Sequence, residues 1–76
     1  MKRPITQFLV NDKTRICRAF TGSEEYVEGC VEGSEKEGFR KVSDEELDAF
    51  RSETQRALDA GWNPDRMNYL KWSAKQ

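Results

Sequence analysis

The chain has 76 residues, of which 36% are hydrophobic and 36% are charged, and its formal net charge is -1. At this length we expect one domain that buries only about 60% of the surface of its unfolded chain, without room for a deep pocket beside the core. Two tryptophans, two tyrosines and four phenylalanines argue against disorder. The near-zero net charge excludes an overall attraction to nucleic acids or anionic membranes.

Charge is distributed unevenly along the chain. Residues 1–20 carry five bases and one acid, residues 21–60 carry five bases and twelve acids, and residues 61–76 carry three bases and one acid. We therefore expect a polarised molecule, with basic ends and an acidic middle.

Nothing in the sequence indicates export or membrane insertion. The apolar run that follows the basic start is too short for a secretory signal, and no stretch approaches the length of a membrane span. Cys17 and Cys30 have neither a CxxC spacing nor a histidine partner. We predict two reduced, half-buried thiols in a cytoplasmic protein, with a disulfide between them as the less favoured alternative.

Two β-rich runs open the chain. Residues 5–10 (ITQFLV) and residues 14–20 (TRICRAF) are separated by Asn11, Asp12 and Lys13. This pattern predicts a β-hairpin with a short polar loop.

The next segment, residues 24–38 (EEYVEGCVEGSEKEG), combines six glutamates with three glycines. Thr21 and Glu24 have the spacing of a capping box, which marks the start of a helix. In a helix the glutamates would lie outside one arc that the less polar side chains share. The side chains in that arc are Tyr26, Val27, Cys30, Val31 and Ser34. We predict a helix ending near Gly38, in which Gly29 and Gly33 allow a close approach to the hairpin.

A short strand and a second helix are predicted next. Residues 38–42 (GFRKV) are a candidate third strand at an edge of the sheet. Ser43 and Glu46 form a second capping box, and Gly61 ends the helix that follows. Apolar or small side chains recur at helical spacing between them: Leu47, Phe50, Thr54, Ala57 and Leu58.

A third helix is predicted at the C-terminus. Asn63 suits the N-cap, Pro64 suits the first helical position, and Trp62 is placed to pack on Met67. The whole chain, residues 1–76, is therefore expected to form a single α+β domain, in which an N-terminal hairpin packs against two or three helices.

The sequence carries no catalytic or cofactor signature. It contains no histidine, which removes the commonest general base and most zinc sites. The glycine-containing segment matches neither phosphate-binding loop pattern, and no EF-hand loop is present. Neighbouring acids such as Asp44 and Glu45 are explained by their place at a helix start. We expect no enzyme activity, no metal site and no small-molecule cofactor.

The predicted third helix has apolar residues on two sides. Met67, Leu70 and Ala74 share one side, and Tyr69 and Trp72 lie roughly opposite. One interpretation is a protein-binding surface, because aromatic residues and arginine dominate interface energetics. It would contain Trp62, Arg66, Tyr69 and Trp72. The other interpretation is that Trp72 folds back over the sheet while Tyr69 lies at the rim.

Two charged surfaces provide further hypotheses. The basic hairpin could bind nucleic acid through Lys2, Arg3, Lys13, Arg15 and Arg18. The acidic helix faces could attract a basic protein partner, although such faces are usually only solvated.

We therefore expect a small soluble protein-binding module, acting as a homodimer or as a regulator or inhibitor of a larger macromolecule. Short chains of this kind are often accessory proteins, including those of bacterial viruses and mobile elements. The alternative is a weak nucleic-acid-binding module that uses the hairpin.

Overall fold

The computed structural model describes residues 3–76. In that range the elements are β1 (Ile5–Asn11), β2 (Cys17–Gly22), α1 (Glu24–Lys36), β3 (Phe39–Val42), α2 (Asp44–Asp59) and α3 (Tyr69–Ala74). The strands form one antiparallel sheet in the order β2-β1-β3. The predicted α+β domain is confirmed, and so is its third strand, which lies at an edge.

The sheet is covered on both faces. On one face Leu9 packs in a cluster with side chains of α1, β3 and β2: Val27, Val31, Phe39 and Phe20. On the other face Val10 packs with side chains of β3, α2 and β1: Val42, Leu47, Phe50 and Phe8. Leu9 and Val10 are 0% exposed. Because neighbouring residues of a strand point to opposite faces, the central strand contributes to both halves of the core.

The β1–β2 loop is held by hydrogen bonds to Asn11. The Asn11 side-chain oxygen accepts from the backbone N–H groups of Lys13 and Thr14, at 3.0 and 3.2 Å. The backbone N–H of Arg15 donates to the Asn11 carbonyl at 2.8 Å, and the Asn11 N–H donates to Ile16 at 3.0 Å. Because of these bonds Thr14 and Arg15 belong to the turn. Strand β2 therefore begins at Cys17 and not at the predicted Thr14.

The predicted capping box at the start of α1 is wrong. Ser23 is the N-cap, and its hydroxyl accepts from the backbone N–H of Tyr26 at 3.2 Å. Thr21 lies two residues earlier in β2, where its hydroxyl is hydrogen-bonded to that of Thr6 at 2.9 Å. Its β-branched side chain suits a strand better than a cap, and serine is the stronger N-cap residue.

Gly29 and Gly33 do not bring α1 close to the hairpin, contrary to the prediction. A Cβ atom built on either residue meets nothing within 4 Å. Both glycines therefore face open space, and their hydrogen side chains serve no packing purpose on α1.

Both ends of α2 follow the sequence prediction. At its start the Ser43 hydroxyl accepts from the N–H of Glu46, and the Glu46 carboxylate accepts from the N–H of Ser43. At its end Gly61 has φ of +103°, a conformation that favours glycine. The N–H of Trp62 then donates to the Ala57 carbonyl and that of Gly61 to Leu58, which is a Schellman motif.

The third helix begins later than predicted. Asn63 makes a turn in which its side chain accepts from the N–H of Asp65 at 3.0 Å, and α3 starts after the N-cap Asn68. Two hydrogen bonds, one local and one to the β1–β2 loop, hold this segment. The Trp62 indole N–H donates to the Met67 carbonyl at 3.0 Å, and the N–H of Tyr69 donates to Lys13 at 2.9 Å.

Cys17 and Cys30 are both free. Cys30 is half-buried as predicted, but the same prediction is wrong for Cys17, which is exposed. Among residues 3–76, no helix has the length and apolar character needed to cross a membrane.

Replacing Gly29 or Gly33 with alanine should stabilise the protein by about 1 kcal/mol each, because alanine is the better helix former and neither site is crowded. Urea denaturation measures the change. Gly38→Ala is the matched control and should destabilise, because φ is +94° there and the new Cβ would lie 3.3 Å from Asn11 Nδ2. A loss of stability in Gly29→Ala would show that α1 packs differently.

Stability should depend on the charge of Glu46. Hydrogen bonds from the backbone N–H and then the hydroxyl of Ser43 lower the pKa of this carboxyl group. A pKa that is lower in the folded state stabilises the fold above the ordinary glutamate pKa of about 4.3, and this contribution is lost as the pH falls through the folded value. Glu46→Gln keeps the capping geometry and should be less stable than wild type at neutral pH. The difference should shrink in acid, as measured by urea denaturation across pH; parallel pH profiles would contradict this.

Candidate protein-binding surface

Arg15 lies between two aromatic rings. Its guanidinium carbon is 3.7 Å from the centroid of the Phe50 ring and 4.1 Å from that of Tyr69. The side chain is only 3% exposed, although arginine is usually found at the surface. Cation–π attraction is stronger at such desolvated positions than at exposed ones. The β1–β2 loop is thereby joined to α2 and to the C-terminal segment.

Hydrogen bonds satisfy the Arg15 guanidinium on its α2 side. Nε donates to the Thr54 hydroxyl at 2.8 Å, and Nη2 donates to the Phe50 carbonyl at 3.2 Å and to Glu53 Oε1 at 2.8 Å. The Tyr69 hydroxyl donates to the same Glu53 oxygen at 3.2 Å. Glu53 therefore holds both Arg15 and the ring that covers it.

The rings of Trp62, Tyr69 and Trp72 form a row, called here the aromatic row. Trp62 meets Tyr69 edge-on, with centroids 5.5 Å apart, and Tyr69 lies 6.1 Å from Trp72 at a tilt of 33°. Trp62 is buried, and the other two rings are half-buried. The row thus runs from the interior to the surface, and Arg15 supports its central ring.

A cleft of about 470 Å³ lies beside the aromatic row. Ile16 and Met67 contribute apolar side chains to it, and Lys13 and Arg66 contribute basic ones. Ile16 is 52% exposed, which is high for an isoleucine. A partly apolar cleft with polar groups at its edge resembles the centre of a protein interface.

A shallower depression of about 230 Å³ lies on the other side of Tyr69. It is formed by α2 and α3, where Arg56 and Ala57 meet Tyr69 and Trp72. Leu70, the next residue of α3, is 46% exposed. The apolar side of α3 that remains uncovered is therefore that of Leu70, while Tyr69 and Trp72 turn towards the protein.

The predicted residues of this surface lie in two places, Trp62 and Arg66 in the cleft and Tyr69 and Trp72 in the shallower depression, and the contact between the Trp62 and Tyr69 rings links them. Arg66 is exposed in the cleft, Tyr69 and Trp72 present part of their rings, and Trp62 lies underneath as support. The sequence prediction missed Ile16, which it assigned to a strand, and the role of Arg15. No sequence pattern signals that role, because it depends on a φ of +60° at Arg15 and on residues 35 to 54 positions away.

The predicted basic patch on the hairpin is largely dispersed. Arg15 is buried, and Arg18 donates to the Glu37 carboxylate at 2.6 Å and lies over the Phe39 ring. This pairing raises the pKa of Arg18 and lowers that of Glu37. Arg3 and Lys13 are exposed, and Lys2 lies outside the described residues. The residues that surround the Arg15 guanidinium are called here the Arg15 cage: Phe50, Glu53, Thr54 and Tyr69. Because its side chain is buried in this cage, Arg15 cannot contact a phosphate without leaving it.

The acidic residues form no compact ligand set. Among residues 3–76, no group of three or more acids and cysteines is arranged to hold a metal ion. Comparison with protein-family models, with curated proteins and with solved structures gave no match to this chain. Its function has to be inferred from its own residues.

Arg15→Met should destabilise the protein by about 3 kcal/mol, because it removes several hydrogen bonds to a buried charge together with two ring contacts. Arg18→Met is the matched control: it removes a hydrogen-bonded, ring-stacked arginine at a partly exposed site and should cost clearly less. Urea denaturation followed by tryptophan fluorescence compares the variants. Equal losses would show that the Arg15 cage does not organise the fold.

Proposed function

We propose that this protein is a non-enzymatic protein-binding module whose partner docks on the surface made by the β1–β2 loop and residues 62–76. The observation that carries the proposal is the cleft itself, where Ile16 is 52% exposed and shares the lining with Trp62, the buried ring of the aromatic row. Burying such a side chain in an interface stabilises the complex by the hydrophobic effect.

The surface is suited to tight binding because it is already ordered. The Arg15 cage and the hydrogen bond from Tyr69 to Lys13 hold the two chain segments together before any partner arrives. A surface that loses little conformational freedom on binding gains affinity. Arg66, which is exposed in the cleft, belongs to the residue types whose truncation most often weakens an interface.

The charges of the surface favour an acidic, apolar segment as the partner. Lys13 and Arg66 line the cleft, and the C-terminal segment carries two further exposed bases, Lys71 in α3 and Lys75 at its C-cap. Two nearby acids are engaged within the protein: Asp12 binds Arg40, and Glu53 binds Arg15. Asp65 remains at the edge of the cleft. The excess of positive charge should accelerate the approach of an acidic partner.

A non-enzymatic role agrees with the structural contacts of the two carboxyl groups whose pKa is lowered. The pKa of Glu37 is lowered by Arg18, and that of Glu46 is lowered by the backbone of Ser43. The Glu37 contact joins β2 to the end of α1, and the Glu46 contact caps the start of α2. Both contacts favour the ionised carboxylate. A catalytic acid or base generally needs its pKa moved towards the working pH.

We further propose a cytosolic accessory protein, acting as a homodimer or as a regulator of a larger macromolecule. The free thiols of Cys17 and Cys30 support the location, because oxidising compartments favour pairing.

The double variant Ile16→Ala with Arg66→Ala tests this function. Partner capture from the native host and sedimentation velocity should show binding or dimerisation by wild type that the double variant weakens at least tenfold, since it removes two interface side chains. Leu58→Ala is the control, because Leu58 is 42% exposed on α2 and lines neither the cleft nor the depression.

Thermal unfolding of all three proteins checks that the fold is intact. A folded double variant that retains the same partners as wild type would contradict the proposal, and so would a folded Leu58→Ala protein that loses them.

A further inference from the structure

A second groove lies between α1 and the sheet, near the start of β1 and away from the β1–β2 loop. Its volume is about 440 Å³, and the apolar side chains of Ile5, Val27 and Val31 lie in it. Glutamates of α1 form one wall, and Lys41 of β3 stands opposite. This groove shares no residue with the cleft beside the aromatic row.

The groove borders a free strand edge. In the order β2-β1-β3, strand β3 pairs with β1 from Phe8↔Val42 to Asn11↔Phe39, and among residues 3–76 no strand pairs with its other side. That side of β3 is therefore an unpaired strand edge, at which Arg40 and Lys41 are exposed and Phe39 and Val42 are buried. Adding a strand at such an edge is a common way for proteins to bind extended peptides.

The orientation of α1 determines what an added strand would meet. Tyr26 and Ser34 lie on the flank of α1 that faces β2, because the Tyr26 ring is beside Gly22 and the Ser34 hydroxyl accepts from Arg18. The opposite flank faces the β3 edge, and it carries the glutamates of the groove: Glu24, Glu28, Glu32 and Glu35. Side chains at alternate positions of an added strand would point towards this flank.

The groove has an excess of negative charge. Within residues 3–76, none of the four glutamates belongs to an ion pair. Arg40, the other base of β3, is bound to Asp12 at 2.9 Å and lies in register with Val10, on the face covered by α2. Lys41 is therefore the base of β3 that offsets the four glutamates.

We infer that the free edge of β3 accepts an extended basic segment of a partner protein as a fourth strand, whose alternate lysine or arginine side chains pair with Glu28, Glu32 and neighbouring glutamates of α1. Apolar contact with Ile5 and Val31 adds to the hydrogen bonds of the strand pair. This binding does not depend on the cleft.

A peptide of about six residues, a usual strand length, that alternates lysine with threonine is the probe, and the same peptide with glutamate in place of lysine is its control. In an amide NMR titration the lysine peptide should shift the signals of Phe39–Val42 and slow hydrogen exchange there, with an affinity that falls as salt is added. The glutamate peptide should do neither.

Variants on opposite walls of the groove should act in opposite directions. Glu28→Gln with Glu32→Gln should raise Kd about three- to tenfold, as expected for two ion pairs at the surface. Lys41→Gln should lower Kd by removing a like charge. Glu45→Gln with Asp48→Asn, on α2, should bind as wild type, and so should Ile16→Ala with Arg66→Ala.

Five outcomes would overturn the inference, four of which concern the wild-type protein. These are failure of the lysine peptide to bind, equal binding of both peptides, signal changes that spread over the acidic surface without affecting β3, and self-association of the protein through β3. Unchanged affinity in the Glu28 and Glu32 variant would overturn it as well.

Discussion

The placement of the Arg15 guanidinium between the rings of Phe50 and Tyr69 joins three parts of the chain that are far apart in sequence. The loop supplies the arginine, α2 supplies Phe50, Thr54 and Glu53, and the C-terminal segment supplies Tyr69. Arg15 is the non-glycine residue with positive φ among residues 3–76, and that conformation costs about 1–2 kcal/mol. The hydrogen bonds and ring contacts of its side chain offset this strain.

This junction explains how a chain of 76 residues can present aromatic side chains at its surface in a fixed arrangement. The sheet and its two helices form the core without residues 62–76, apart from the buried Trp62. The C-terminal segment is held by Arg15, by the Schellman turn that directs Trp62 inwards, and by the bond from Tyr69 to Lys13. The proposed docking surface exists because these contacts replace a larger core.

The two proposed surfaces also follow from the uneven charge of the sequence. One base from each basic end of the chain, Lys13 and Arg66, lines the cleft, while glutamates of the acidic middle form a wall of the groove beside β3. Internal pairing removes Asp12, Glu53, Arg18 and Glu37 from this balance. What remains is an electropositive apolar surface and an electronegative strand edge, suited to partners of opposite charge.

Local signals in the sequence predicted most of the fold, and tertiary contacts explain the rest. The capping box of Ser43 and the stop at Gly61 involve residues within one helical turn, so they could be recognised without the fold. Local spacing favours Thr21 as a cap, because its strand partner Thr6 is distant in sequence and gives no local signal. The late start of α3 accompanies bonds made by Trp62 and Tyr69. The sequence predicts only part of the site, because no sequence pattern reveals that Arg15 turns inwards.

A double-mutant cycle between Arg15 and Tyr69 tests the central claim most directly. The free energies of unfolding of wild type, Arg15→Met, Tyr69→Leu and the double variant give the coupling between the two side chains. A coupling of about 1 kcal/mol or more is predicted, because the pair combines a desolvated cation–π contact with a shared carboxylate. Additive losses would show that the C-terminal segment is held without Arg15.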